Sequence, residues 1–195
     1  DDEVAAMRRA LDLDDAPYIL WIGSLEPRKN VRLLVDAFSR WAADADLPHR
    51  LVLAGPGGWL EDEASVLAPA RALGDRVRTV GRVGDPVLRA LYRGADVFAF
   101  PSRHEGFGIP VLEAMAQETA VIAADIPAVR ETATGAALLL SPDDPAAWVA
   151  ALDNLLHDAN ERAHLGAAGR ERAQQYSWTR CAEATRAVYR EALQA

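Results

Sequence analysis

Short, nearly continuous apolar runs alternate with longer amphipathic stretches through most of this chain, and that alternation constrains its fold more than any other feature. Residues 18–22, 51–54, 77–80, 97–100, 120–123 and 137–140 have strand length and carry little polar alternation. Such runs belong to strands covered on both faces. Between them, residues 31–43, 60–73, 86–94 and 109–117 have helix length, with Val31, Leu34, Val35 and Phe38 on one helical stripe. Strands alternating with helices predict an α/β fold, a doubly wound parallel sheet with helices on both faces. Past Leu140 the pattern changes to three successive helices, 143–156, 160–174 and 178–193. Pro142 and Pro145 punctuate the change, and Asp143 or Asp144 is placed to cap the first of the three. The reading is one domain over residues 1–195, with an α/β core at about 17–142 and a helical C-terminal tail at 143–195.

A chain of 195 residues buries one sizeable core. Its formal charge of −8 argues against general electrostatic binding of nucleic acid, so any anionic ligand needs a local cationic site. Cys181 is the sole cysteine, which excludes a disulfide framework and a cysteine-rich metal centre. His49, His157 and His164 are scattered without metal-ligand spacing, and no cofactor or metal requirement is expected. No apolar run approaches the roughly 20 residues of a membrane span. The lone cysteine fits a reducing, cytoplasmic setting, and the chain opens on Asp1, Asp2 and Glu3 with neither a signal-like start nor an initiator Met, so residues upstream are expected.

In open parallel sheets ligands sit beyond the carboxyl ends of the strands, so the loops after the strands are the places to search. The run 97–100 is followed by Pro101-Ser102-Arg103-His104-Glu105-Gly106-Phe107-Gly108, then by a helix starting near Ile109 with Pro110 in its first turn. Backbone N–H groups and the positive end of the helix dipole suit a phosphate there. Gly106 and Gly108 would let backbone approach a ligand closely. Glu105 in the loop and Glu113 one turn into the helix can accept from sugar hydroxyls on either side of that phosphate. Alternatively, Glu113 sits on a solvated helix face and Glu105 steadies the helix start. The loop after the first run, Gly23-Ser24-Leu25-Glu26-Pro27-Arg28-Lys29-Asn30, brings Arg28 and Lys29 to the same edge, where they either meet an anion or are simply solvated. Gly55-Pro56-Gly57-Gly58 reads as a turn. Trp148 and Trp178 read as core or interdomain packing, and His104 as a loop residue near the site.

The strings Ala95-Asp96-Val97-Phe98-Ala99-Phe100-Pro101-Ser102 and Glu105-Gly106-Phe107-Gly108-Ile109-Pro110-Val111-Leu112-Glu113-Ala114-Met115-Ala116 resemble the donor-binding signature of the family 4 (group 1) glycosyltransferases. These are retaining enzymes of the two-domain GT-B fold, and the resemblance covers Tyr18 to about Leu156. It implies a Rossmann-like half of that fold, a nucleoside diphosphate sugar donor (GDP- or UDP-linked), and a separate N-terminal acceptor domain absent from this chain. It also implies roles. Lys29 faces the distal phosphate and stabilises the leaving group, with Arg28 as a second cation because Ser24 stands where many members carry arginine. Glu105 contacts donor-sugar hydroxyls and Glu113 the ribose. Amides around Gly106, Phe107, Gly108, Ile109 and Val111 face the sugar and phosphates, and Arg82 and Val83 line the nucleobase pocket. The setting implied is polysaccharide biosynthesis, with room for peripheral membrane association of the full-length protein. The isolated chain is then expected to bind donor with negligible transfer activity. The alternatives are a GT-B-like phosphorylase or epimerase, and a nucleotide-binding module that has lost the chemistry.

Overall fold

A computed structural model describes residues 2–13, 15–57 and 63–194. Among them six strands form one sheet: β1 (Tyr18–Ile22), β2 (Arg50–Ala54), β3 (Val77–Gly81), β4 (Val97–Phe100), β5 (Ala120–Ala124) and β6 (Leu138–Leu140). All neighbours pair in parallel, in the order β3-β2-β1-β4-β5-β6. Every expected strand is present within one residue at each end. The inner strands β4 and β5 are buried along their whole length, whereas the edge strands β3 and β6 contain no buried residue. Burial on both faces is why the inner strands read so plainly as apolar runs.

The helices among the described residues are α1 (Asp2–Ala10), α2 (Val31–Asp44), α3 (Glu63–Val66), α4 (Asp85–Gly94), α5 (Ile109–Ala116), α6 (Pro127–Ala133), α7 (Pro145–His157), α8 (Ala159–Ala173) and α9 (Trp178–Ala192). The stripe Val31, Leu34, Val35 and Phe38 is buried as expected and extends to Trp41, whose indole N–H donates to Asp153 Oδ1 on α7 at 3.1 Å. Each such fully buried apolar side chain contributes about 1.5–3 kcal/mol relative to exposure. Asp144, not Asp143, caps α7, its carboxylate accepting from the amides of Ala146 and Ala147. Asp143 pairs instead with Arg103.

One expected element is corrected and two helices are added. The helix at 60–73 starts outside the described residues, as does Gly58 of the glycine turn. From Glu63 onward the chain makes only the single turn of α3 and then a 3-10 stretch, Ala68–Arg76, broken at Gly74 with φ 52°. Pro69 offers no N–H, and the break at Gly74 uses a left-handed φ that glycine tolerates. Helices α1 and α6 were not anticipated. Trp148 is core, whereas Trp178 is 79% exposed on α9, which has no buried residue, so of its two readings the core one is excluded.

Candidate functional site

The strand order places a topological switch between β1 and β4: the chain runs from β1 outward through β2 and β3, then returns to β4 and runs the other way. Loops leaving two such neighbours diverge and leave a crevice between them. Here those loops carry Lys29 and Glu105. Hydrogen bonds brace them across the crevice. The Arg103 amide donates to the Arg28 carbonyl at 2.8 Å, and Asn30 Nδ2 donates to the carbonyls of Pro101 and Pro142 at 3.2 and 3.0 Å. Asn30 adopts the left-handed conformation (φ 52°), which ends the single turn Pro27–Lys29 and turns the chain into α2. Below the crevice, Gly55 sits at φ 141°, and a Cβ there would lie 1.8 Å from the Gly23 carbonyl oxygen. Only glycine fits where the β1 and β2 loops cross so closely.

Lys29 is 9% exposed, and its Nζ donates to Glu105 Oε1 at 2.7 Å. Arg28 Nη1 lies 3.5 Å from Glu105 Oε2, while its Nε donates to Glu26 Oε2 at 2.8 Å. Ser24 Oγ donates to the other Glu26 oxygen, and this bond, ahead of the neighbouring cations, holds the Glu26 carboxyl below its ordinary range. The Phe100 ring lies 5.6 Å beneath Lys29 Nζ. Two cations and two carboxylates therefore balance one another. Because the Lys29 and Glu105 side chains are only 11% and 10% exposed, removing either partner leaves a charge with little water to stabilise it.

The second part of the site is the start of α5. Gly108 precedes it at φ 88° and is itself buried, and no side chain caps this end. Pro110 carries no N–H and the Val111 amide donates to the Gly108 carbonyl, so the Ile109 amide is the one this end offers an anion. Gly106 has open space where a side chain would be. Phe107 and Ile109 are exposed, and the Phe107 ring meets Tyr176 edge-on at 5.9 Å. Glu113 is exposed too, with Oε2 accepting from the Tyr92 hydroxyl at 2.9 Å. A cavity of about 710 Å³ opens beside it, lined by Ile109, Leu112, Glu113, Tyr176 and Trp178 among others.

The remaining candidates are placed apart from this cluster. The Val111 side chain is fully buried and its amide donates to the Gly108 carbonyl, so both are already engaged within the protein. Exposed Arg82 and half-buried Val83 follow β3 at the sheet's outer edge, two strands from β1. Tyr92 was missed. Its signal was a tyrosine on the buried stripe of α4, since a buried phenol needs a hydrogen-bond partner. Among the described residues no group of three or more His, Cys, Asp or Glu is arranged to hold a metal ion, and no helix is long and apolar enough to cross a membrane.

The description of the glycosyl transferases group 1 family matches residues 4–172. The chain is 34% identical over 173 residues to the O-antigen chain mannosyltransferase B of Escherichia coli, covering 89% of this chain and 45% of that protein. It is 38% identical over 216 residues to the D-inositol 3-phosphate glycosyltransferase of Kineococcus radiotolerans, covering 97% and 48%. Among solved structures, the sucrose-phosphate synthase of Thermosynechococcus elongatus superposes with a TM-score of 0.83 at 31% identity, covering 97% of this chain and 49% of that one. HepE of Anabaena, solved with UDP and glucose, shares the fold at a TM-score of 0.79 and 19% identity, covering 89% and 48%. The chain thus spans about half the length of the relatives it matches, and its sheet is the Rossmann-like half of the GT-B fold. On the family match and on this degree of likeness over nearly its whole length, the chain belongs to the group 1 glycosyltransferases.

Proposed function

We propose that this chain is the donor-binding domain of a retaining glycosyltransferase that moves a hexose from a nucleoside diphosphate (uridine or guanosine) to an acceptor held by an N-terminal domain of the full-length protein. One observation carries the reading: Lys29 and Glu105, 76 residues apart in sequence, meet at 2.7 Å in the switch-point crevice, beside an uncapped helix start. Transfer breaks the bond between the sugar's anomeric carbon and the distal phosphate oxygen and forms one to the acceptor oxygen, releasing the acceptor proton. Negative charge grows on the diphosphate as its bond breaks. Fixed cations stabilise that charge most at the transition state. In this reading the diphosphate takes the place of Glu105 at Lys29 and Arg28, with the Ile109 amide on another of its oxygens. The displaced Glu105 carboxylate then accepts from the sugar hydroxyls, while Glu113 accepts from the ribose. The reaction needs no metal in this reading, takes place in the cytoplasm, and leaves the isolated domain able to bind donor with negligible turnover.

Calorimetric titration with UDP and GDP tests the binding half. Glu113→Ala is expected to weaken each binding nucleotide by about tenfold or more, the worth of a hydrogen bond to a charged group. Glu113→Gln keeps an acceptor for Tyr92 and separates that loss from any change in folding. Unchanged affinity in both variants would overturn the ribose assignment.

A further inference from the structure

The geometry points to Tyr92 as the residue that positions Glu113 for ribose recognition, an inference resting on the ribose reading above. Glu113 projects from an exposed position on α5, where a free glutamate would sample several rotamers. Holding one rotamer of such a side chain costs conformational entropy. A ligand meets that cost unless the protein has already met it. Tyr92 is built to do so. The residue is 1% exposed, and its ring meets Phe98 of β4 edge-on at 5.3 Å. Its carbonyl accepts from Thr119 Oγ at 2.7 Å, at the turn that follows α5. Its hydroxyl donates to Glu113 Oε2 at 2.9 Å. A donor fixed to both α4 and the sheet thus grips one carboxylate oxygen and leaves Oε1 for the two ribose hydroxyls.

Burial, reinforced by the nearby Glu113 charge, pushes the phenol above its ordinary range, so at neutral pH it carries the proton that it donates to Glu113.

The test compares UDP or GDP, whichever binds more tightly, with its 2′,3′-dideoxy analogue. Both affinities are measured for the unaltered chain and for Tyr92→Phe, Glu113→Ala and the double variant, with a melting curve for each. Tyr92→Phe keeps the ring packed on Phe98 and removes only the hydroxyl. The expected result is a threefold to tenfold loss of the ribose preference in Tyr92→Phe, of the order set by one hydrogen bond, and no further loss when it is added to Glu113→Ala. If the unaltered chain prefers ribose and Glu113→Ala abolishes that preference, but Tyr92→Phe retains it, the Tyr92 role is wrong and the ribose reading survives. Equal weakening of both nucleotides by Tyr92→Phe would also overturn it, as the mark of a merely structural residue. If the unaltered chain shows no preference, or Glu113→Ala keeps it, the ribose reading falls and this inference with it.

Discussion

The two glutamates of the candidate binding segment stand only eight positions apart, yet they occupy opposite physical situations. Glu105, in the loop, is almost sealed from water and touches two cations. Glu113, on α5, is open to solvent and is gripped by one neutral phenol. At the loop end, charge is held in balance, so a change there should register in folding stability and in catalysis. At the helix end there is no buried charge to unbalance, and a change that keeps an acceptor for the Tyr92 hydroxyl should register in nucleotide binding alone. Sequence spacing made the pair look like a symmetric clamp. Its burial separates an electrostatic half from a half open to solvent.

The largest expected effect is at Lys29. In the full-length enzyme, Lys29→Ala should lower turnover by about 10²–10³-fold, as loss of one preorganised stabiliser of transition-state charge does elsewhere. Steady-state kinetics check it, together with titration by a nucleoside and by its diphosphate. The nucleoside should bind as before and the diphosphate more weakly. Equal weakening of both would remove the distinction between the two halves of the site.

How much of this was visible in the residues depended on burial. Strands such as 120–124 announce themselves because both faces are covered, and an apolar run has few other meanings. Helix α1 was silent because it buries one side chain, Met7, amid charges, and α6 because seven residues span barely two turns. The stretch at 60–73 misled in the other direction. Its apolar spacing fits a helix, but Pro69 and Gly74 interrupt the winding. At the site, the motif exposed Glu105, Glu113 and Lys29 as candidates. It did not expose the Lys29–Glu105 contact, which depends on β1 lying beside β4. Nor did it reveal Tyr92, whose hydroxyl reaches Glu113 only because α4 packs beside α5.

A second way to sharpen the contrast is Glu105→Gln. Gln cannot neutralise Lys29, which would remain almost buried with only a neutral acceptor near it. The fold should lose on the order of 1–3 kcal/mol, less than the full cost of an orphaned buried charge because the pair retains some access to water. Thermal melting of Glu105→Gln beside Glu113→Gln measures the difference, with the second expected to stay within about 0.5 kcal/mol of the unaltered chain. Removal of the competing carboxylate should leave diphosphate affinity equal or higher, even though sugar transfer falls. A loss of diphosphate affinity would show that Glu105 shapes the phosphate site instead of occupying it.

Arg28 is where the smallest effect belongs, and it tests where the electrostatic half ends. Its side chain is 45% exposed, four times more than that of Lys29, and its closer partner is Glu26, not Glu105. Water and salt screen such a group, and an exposed pair of this kind is worth only about 0–1 kcal/mol. Arg28→Ala should therefore leave melting nearly unchanged and weaken diphosphate binding by no more than about tenfold. That loss should shrink as salt is raised, because an exposed charge is screened within about 10 Å at 0.1 M ionic strength. The response at Lys29 should vary much less with salt. An Arg28→Ala variant as damaged as Lys29→Ala, and equally insensitive to salt, would mean that donor binding buries Arg28 and gives the two cations the same standing.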